Sequence, residues 1–107
     1  MRLVRRKWGF YITLLDRKQF KVKLLRFKPF GKCSEQWHRK RNELWLFLGG
    51  KGRLDVGGEI HNKDENLNGK YFLIHRGEVH QYEAYEKTWV LEIQYGSKCE
   101  ESDIVRI

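Results

Sequence analysis

From Phe20 to Lys28 the chain reads FKVKLLRFK, apolar and basic residues alternating for most of the stretch, and no run of ten or more residues carries a convincing period of 3.6. A period of 2 marks a strand with one buried face, and here the solvent face is expected to be lysine-rich. Further segments share the aromatic and β-branched enrichment that suits a pleated surface: Phe10–Leu15, Leu44–Leu48, Arg53–Val56, Tyr71–Ile74, Val79–Glu83 and Trp89–Tyr95. Gly49-Gly50 with Gly52, and Gly57-Gly58, mark tight reversals, and HNKDENLNG from His61 to Gly69 reads as a polar loop. Many short strands at near-regular spacing predict an all-β sandwich or barrel.

With 107 residues the chain has the size of one domain. Neither a repeat nor a linker divides it, so residues 1–107 are expected to form a single unit. An aromatic content of 14% with a single proline excludes disorder. Nothing approaches the roughly 20 consecutive apolar residues of a membrane helix. The basic opening MRLVRRKWGFYITLLDRK lacks the cleavage site and apolar core of a secretory signal. A cytoplasmic protein is therefore expected, with Cys33 and Cys99 as free thiols, because the two fit no metal or redox spacing. The net charge of +8 is uneven: residues 1–53 hold 16 Lys/Arg against 3 Asp/Glu, and residues 54–107 hold 6 against 11. Such asymmetry points either to an anionic partner or to two faces of one sheet.

Gln36 and His38 are two residues apart, so on a strand they face the same side. Glu43 follows after five residues, and His80 lies near the start of a later strand. Imidazoles, a carboxylate and an amide oxygen form a donor set suited to divalent zinc, manganese, iron, nickel or cobalt, zinc being the first choice. Spacing leaves two readings open: ligands converging inside a barrel, or ordinary histidines at its mouth beside a solvated Glu43.

Longer motifs add to this. Glu43, six residues, then Gly50, followed by Gly69, His75, Gly77 and His80, resembles the paired motifs of the cupin superfamily of small double-stranded β-helix (jelly-roll) barrels. WGFY, FKVKLLRFKP, SEQWHRKRNELW and the ending LEIQYGSKCEESDIVRI resemble, in order, segments of the C-terminal cupin domain of type II mannose-6-phosphate isomerase/mannose-1-phosphate guanylyltransferases. The resemblance implies that Gln36, His38, Glu43 and His80 ligate a metal, and it aligns Arg41, Lys21 and Lys23 with family basic residues. Three positions depart from the pattern: Lys40 replaces the second histidine of the family HxH, His75 a proline, and Ala84 a final asparagine. No guanylyltransferase domain fits in this length, so nucleotidyl transfer is not expected.

The implied reaction is aldose–ketose isomerisation of mannose 6-phosphate, or a related sugar phosphate, through an enediolate. Glu92, alternating with apolar neighbours on VLEIQY, is the first choice of base, and Gln94 shares its face, lining either the pocket or solvent. His75 is a second acid/base candidate because imidazole titrates near neutrality. Lys40 is read either as a solvated lysine of the run Arg39-Lys40-Arg41 or as a phosphate contact beside the metal. Arg41 is the better phosphate candidate, having a planar fork. Lys21 and Lys23, on one side of their strand, either add cations to the mouth or guard an exposed strand. The N-terminal strand, apolar on one side, suggests a homodimer. A non-catalytic metal- or sugar-binding cupin is the alternative. A nucleic-acid binder ranks third, supported by basic residues interleaved with aromatics but by no motif.

Overall fold

The alternating segment forms one of eleven strands among the residues described by the computed structural model, 2–61 and 66–107. In chain order these are β1 (Arg2–Arg6), β2 (Gly9–Asp16), β3 (Phe20–Phe27), β4 (Gln36–His38), β5 (Arg41–Gly49) and β6 (Gly52–Val56). There follow β7 (Glu59–His61), β8 (Tyr71–Ile74), β9 (His80–Ala84), β10 (Thr88–Gly96) and β11 (Ile104–Arg106), the last preceded by a 3-10 turn at Glu101–Asp103. They make a six-stranded sheet, β1-β2-β3-β10-β5-β8, and a five-stranded sheet, β11-β4-β9-β6-β7. Every strand pairing is antiparallel. Pairing of β3 with β10 and of β4 with β11 brings distant segments together and gives the jelly-roll barrel of a cupin. Of the loop expected between His61 and Gly69, positions 62–65 lie outside the described residues.

Local chemistry explains the joins. Gly57 and Gly58 both take positive φ, 57° and 86°, and Val56 pairs with Glu59 across them. That is the two-residue hairpin whose twist matches its strands. Strands β4, β7 and β11 have three residues each, too few to show an alternation. β5 starts at Arg41 rather than Leu44, because the polar residues Arg41 and Glu43 continue the alternation with their side chains buried.

The expectation for β3 is reversed. Lys23 is only 5% exposed and shares the inward face with Leu25 and Phe27, while Val22 and Leu24 point outward. The outward face of the six-stranded sheet is accordingly apolar. Leu3, Ile12, Leu24, Leu91, Leu46 and Tyr71 are successive register partners across all six strands. None of them is buried.

Inside, each central strand changes character along its length. Leu25 and Phe27 of β3, Trp45 and Phe47 of β5, and Val90 of β10 fill one end with Leu54 and Tyr82 from the facing sheet. The Tyr82 ring lies 4.9 Å from that of Phe27 and 5.2 Å from that of Phe47. Each large side chain so buried contributes roughly 1.5–3 kcal/mol. Toward the other end the same strands turn to Lys23, Arg41, Glu43, Glu92 and Gln94, all buried.

Candidate active site

Register assembles the site. Gln36 of β4 is the direct partner of His80 on β9, and His38, two residues on, faces the same way. Glu43 reaches them from β5 of the other sheet. His38 Nε2 lies 3.0 Å from Glu43 Oε2, His80 Nε2 lies 3.8 Å from Glu43 Oε1, and the two imidazole rings are 5.1 Å apart. All three residues are buried, and one donor atom from each falls within 4.8 Å of the others.

Glu43 is held in place from two further sides. Arg41 Nε donates to Oε2 at 3.1 Å, and Trp45 Nε1 donates to Oε1 at 3.0 Å. Burial by itself would raise the Glu43 pKa, but the hydrogen bond and charge of His38, with Arg41 beside it, outweigh burial and hold the carboxyl far below the usual carboxylate range. Burial also pushes the His80 pKa down, only partly opposed by Glu43, which favours a neutral ring. His80 Nδ1 sits 3.1 Å from the Glu78 carbonyl, while its Nε2 is buried without a hydrogen-bond partner. An orphaned imidazole nitrogen, a second imidazole and a carboxylate within 4.8 Å of one another fit a divalent ion. Nothing in the donor set selects one metal among zinc, manganese, iron, nickel and cobalt.

His38 and Glu43 line a cavity of about 590 Å³ together with Gln36, Lys23, Glu92 and Gln94, while His80 is not part of the lining. Glu92 is 6% exposed. Burial, reinforced by the charge of Glu43, raises its pKa to about 7 against the opposing pull of Lys23 and Arg41. Gln94 Nε2 donates to Glu92 Oε1 at 2.6 Å, leaving Gln94 Oε1 buried and unpartnered. The site therefore offers a carboxyl balanced between acid and base and an unused acceptor beside it.

Other candidates lie elsewhere. Lys40 and His75 are exposed and absent from the cavity lining, the first in the turn before β5 and the second just after β8. The backbone N–H of Lys40 donates to Asp103 at 3.0 Å, and that of His75 donates to Glu78 at 2.7 Å. Arg41 is at the cavity, but its Nε serves Glu43 and one Nη the Glu100 carbonyl at 2.8 Å, so it positions Glu43 rather than standing open to a phosphate. Lys21 is half-buried and 3.5 Å from Asp16, beside a second cleft of about 540 Å³.

Sequence reasoning missed Trp45 and Glu101, and it missed the rim cations Arg6, Lys7, Lys32 and Arg106. The period-2 pattern of β5 could have found Trp45. The others come from segments with no pattern to read. Cys33 and Cys99 are free and buried, burial raising the Cys33 thiol to about 12.

Comparison with known proteins gives the chain its relatives. A family model described as "Mannose-6-phosphate isomerase C-terminal" matches residues 1–107. The chain is 35% identical over 108 residues to a mannose-1-phosphate guanylyltransferase of Klebsiella pneumoniae, covering 99% of this chain and 22% of that protein. It is 33% identical over 107 residues to mannose-1-phosphate guanylyltransferase ManC of Salmonella typhimurium strain LT2, with 98% and 22% covered. The chain thus spans about a fifth of the length of these relatives. In structure it is similar to oxalate decarboxylase of Bacillus subtilis, with a TM-score of 0.80 at 16% identity over 99% of this chain and 30% of that one. The cupin domain of Schizosaccharomyces pombe Cnp3 gives a TM-score of 0.73 at 11% identity, over 90% and 69%. At these identities the structural likeness establishes the cupin fold alone.

Proposed function

The chain belongs to the mannose-6-phosphate isomerase C-terminal family, and we propose that it is a metal-dependent sugar-phosphate isomerase interconverting mannose 6-phosphate and fructose 6-phosphate. One observation carries this reading: Glu92, a buried carboxyl whose pKa is raised to about 7, lines the same cavity as His38 and Glu43. Near neutrality such a carboxyl is divided between its two forms, so it can take a proton from the substrate C2 and return it to C1. Gln94 holds the carboxyl by its amide N–H and offers its free Oε1 to a sugar hydroxyl. His38, Glu43, His80 and Gln36 would hold a divalent ion. Bound there, the ion would supply Lewis-acid stabilisation of the negative charge that develops as C2 loses its proton. Arg41 and Trp45 fix Glu43 in advance, so no reorganisation is needed during the reaction. Leu25 and Phe27 add apolar surface to the lining. The test is metal analysis of the purified chain followed by a coupled assay for fructose 6-phosphate. Metal-loaded protein without turnover would reject the reading.

A second reading, a non-catalytic metal- or sugar-binding cupin, draws on the fact that Glu43 already meets donors from His38, Arg41 and Trp45. It expects metal or sugar binding with no rate.

We further propose a homodimer. β1 is an edge strand, and the apolar row that begins at Leu3 is continuous across its sheet. Leu3, Leu14, Phe20, Tyr71 and Leu73 are 41–66% exposed, apolar surface of the kind that marks an interface. Light scattering at micromolar concentration decides this: a monomer that Leu24→Lys leaves unchanged rules it out. Among the described residues no helix is long and apolar enough to cross a membrane. Two free buried thiols suit the reducing cytoplasm we propose for it.

A further inference from the structure

Lys23 is the deepest cation on β3, its ammonium 4.3 Å from the Tyr11 ring centroid, and a buried ammonium requires an anion. The one it is paired with comes from far along the chain: Lys23 Nζ donates to Glu101 Oε1. The two partners differ in cover, the Lys23 side chain being 6% exposed and that of Glu101 43%. Glu101 stands on the short 3-10 turn, whose backbone is secured independently of it. Asp103 accepts the N–H groups of Arg39 and Lys40 at 3.1 and 3.0 Å, the Glu100 carbonyl accepts Arg41, and the Cys99 N–H donates to the Lys18 carbonyl at 2.7 Å. The Glu101 side chain can therefore leave Lys23 for water without unfastening the turn.

Its position is that of a partition. Tyr11, Lys23 and Glu101 line both the main cavity and the second cleft, where Arg2, Arg17 and Lys21 add three more cations against Asp16. The charges of Lys23, Arg41 and Lys21 outweigh the partial desolvation of Glu101 and lower its pKa. A carboxylate thus occupies a place that the surrounding charge suits to any compact anion.

We propose that Glu101 is an intramolecular stand-in for the anionic group of the ligand, and that a phosphate monoester entering the cavity takes Lys23 from it while Glu101 turns out to solvent. A phosphate dianion brings more charge and more acceptor oxygens than one carboxylate, so exchange favours the ligand. A neutral sugar has nothing to displace Glu101 with, which makes the pair a filter for phosphorylated substrates. The inference rests on the sugar-phosphate reading for the identity of the ligand, but not on turnover.

The experiment is calorimetric titration of the full chain with inorganic phosphate and with mannose 6-phosphate, after chelator treatment, for wild type, Glu101→Gln and Lys23→Met. Glu101→Gln is expected to bind phosphate about ten-fold more tightly than wild type, and Lys23→Met to lose binding about ten-fold or more. Equal or weaker binding by a folded Glu101→Gln overturns the proposal, as does undiminished binding by Lys23→Met or no phosphate binding by wild type and Glu101→Gln alike. Should either variant fail to fold, carboxyl carbon NMR of the wild type replaces it: phosphate must shift Glu101 to the value of a solvated carboxylate, and an unmoved signal refutes the exchange. A chain that shows the exchange yet never forms fructose 6-phosphate keeps this inference and loses the isomerase reading.

Discussion

Leu25, Phe27, Trp45, Phe47 and Val90 fill one end of the barrel, and further along the same three strands Lys23, Arg41, Glu43, Glu92 and Gln94 fill the other. Side chains at both ends are buried, but those at the polar end line the cavity. The apolar end needs nothing but shape, whereas every charge at the polar end costs several kcal/mol of lost hydration that a partner must offset. The partners are in place for Glu43, Arg41 and Lys23. They are incomplete at His38 Nδ1, His80 Nε2 and Gln94 Oε1. Stability thus originates at one end, and unsatisfied chemical capacity collects at the other.

The sharpest way to break this contrast is at the apolar end. Phe47→Ala is expected to cost about 3–5 kcal/mol, as for other fully buried aromatic residues, measured by denaturant unfolding. A loss below about 1 kcal/mol would mean that the apolar end does not carry the fold. At the polar end the sign should reverse. Glu92 has a folded pKa of about 7 against a reference value of 4.5. A raised carboxyl contributes most to stability below pH 4.5, and that contribution is lost as pH climbs through 7. The gap is worth roughly 3 kcal/mol. Glu92→Gln should therefore be more stable than wild type at pH 8 and no more stable near pH 4, in urea titrations of chelator-treated protein. Parallel pH profiles for the two proteins would show that Glu92 titrates normally. The same substitution is expected to lower isomerase turnover by roughly 10²–10⁴, so stability and activity move in opposite directions. His80→Ala should abolish stoichiometric metal, read by elemental analysis; retained metal would remove His80 from the ligand set. The smallest effects belong to Lys40→Ala and His75→Ala, each exposed and outside both ends of the barrel. Their kcat/KM should stay within about two-fold and their stability within about 0.5 kcal/mol. A ten-fold loss in either would place that side chain in the reaction.

Much of the apolar end could be read from the chain, because alternation of large apolar residues survives in any register of description. The cupin fold followed from those strands together with the ordered motifs around Glu43 and His80. The polar end was legible only in part. Alternation identifies two faces without saying which is inward, and the inversion of Lys21 and Lys23 is an ambiguity of that kind: Val22 and Leu24 made the wrong face look buried. Glu43 and Arg41 were hidden as strand residues for the same reason, since charges on the inner face read as a loop. The placing of Glu101 needed the fold itself, because it meets Lys23 across 78 residues of sequence.

The apolar outer row of the six-stranded sheet has one consequence for how the chain reaches this state. In most half-buried sheets a slip of one residue is self-correcting, because it turns the apolar set into water and the polar set into the core. Here both faces are largely apolar, so greasiness cannot reject the slipped pairing. What distinguishes the native pairing is the polar pattern: it sets Lys23 opposite Glu92, and Gln94 between Lys21 and Glu43. A variant that trades these polar residues for apolar ones is therefore expected to gain stability and to refold with a lower yield of correctly paired sheet.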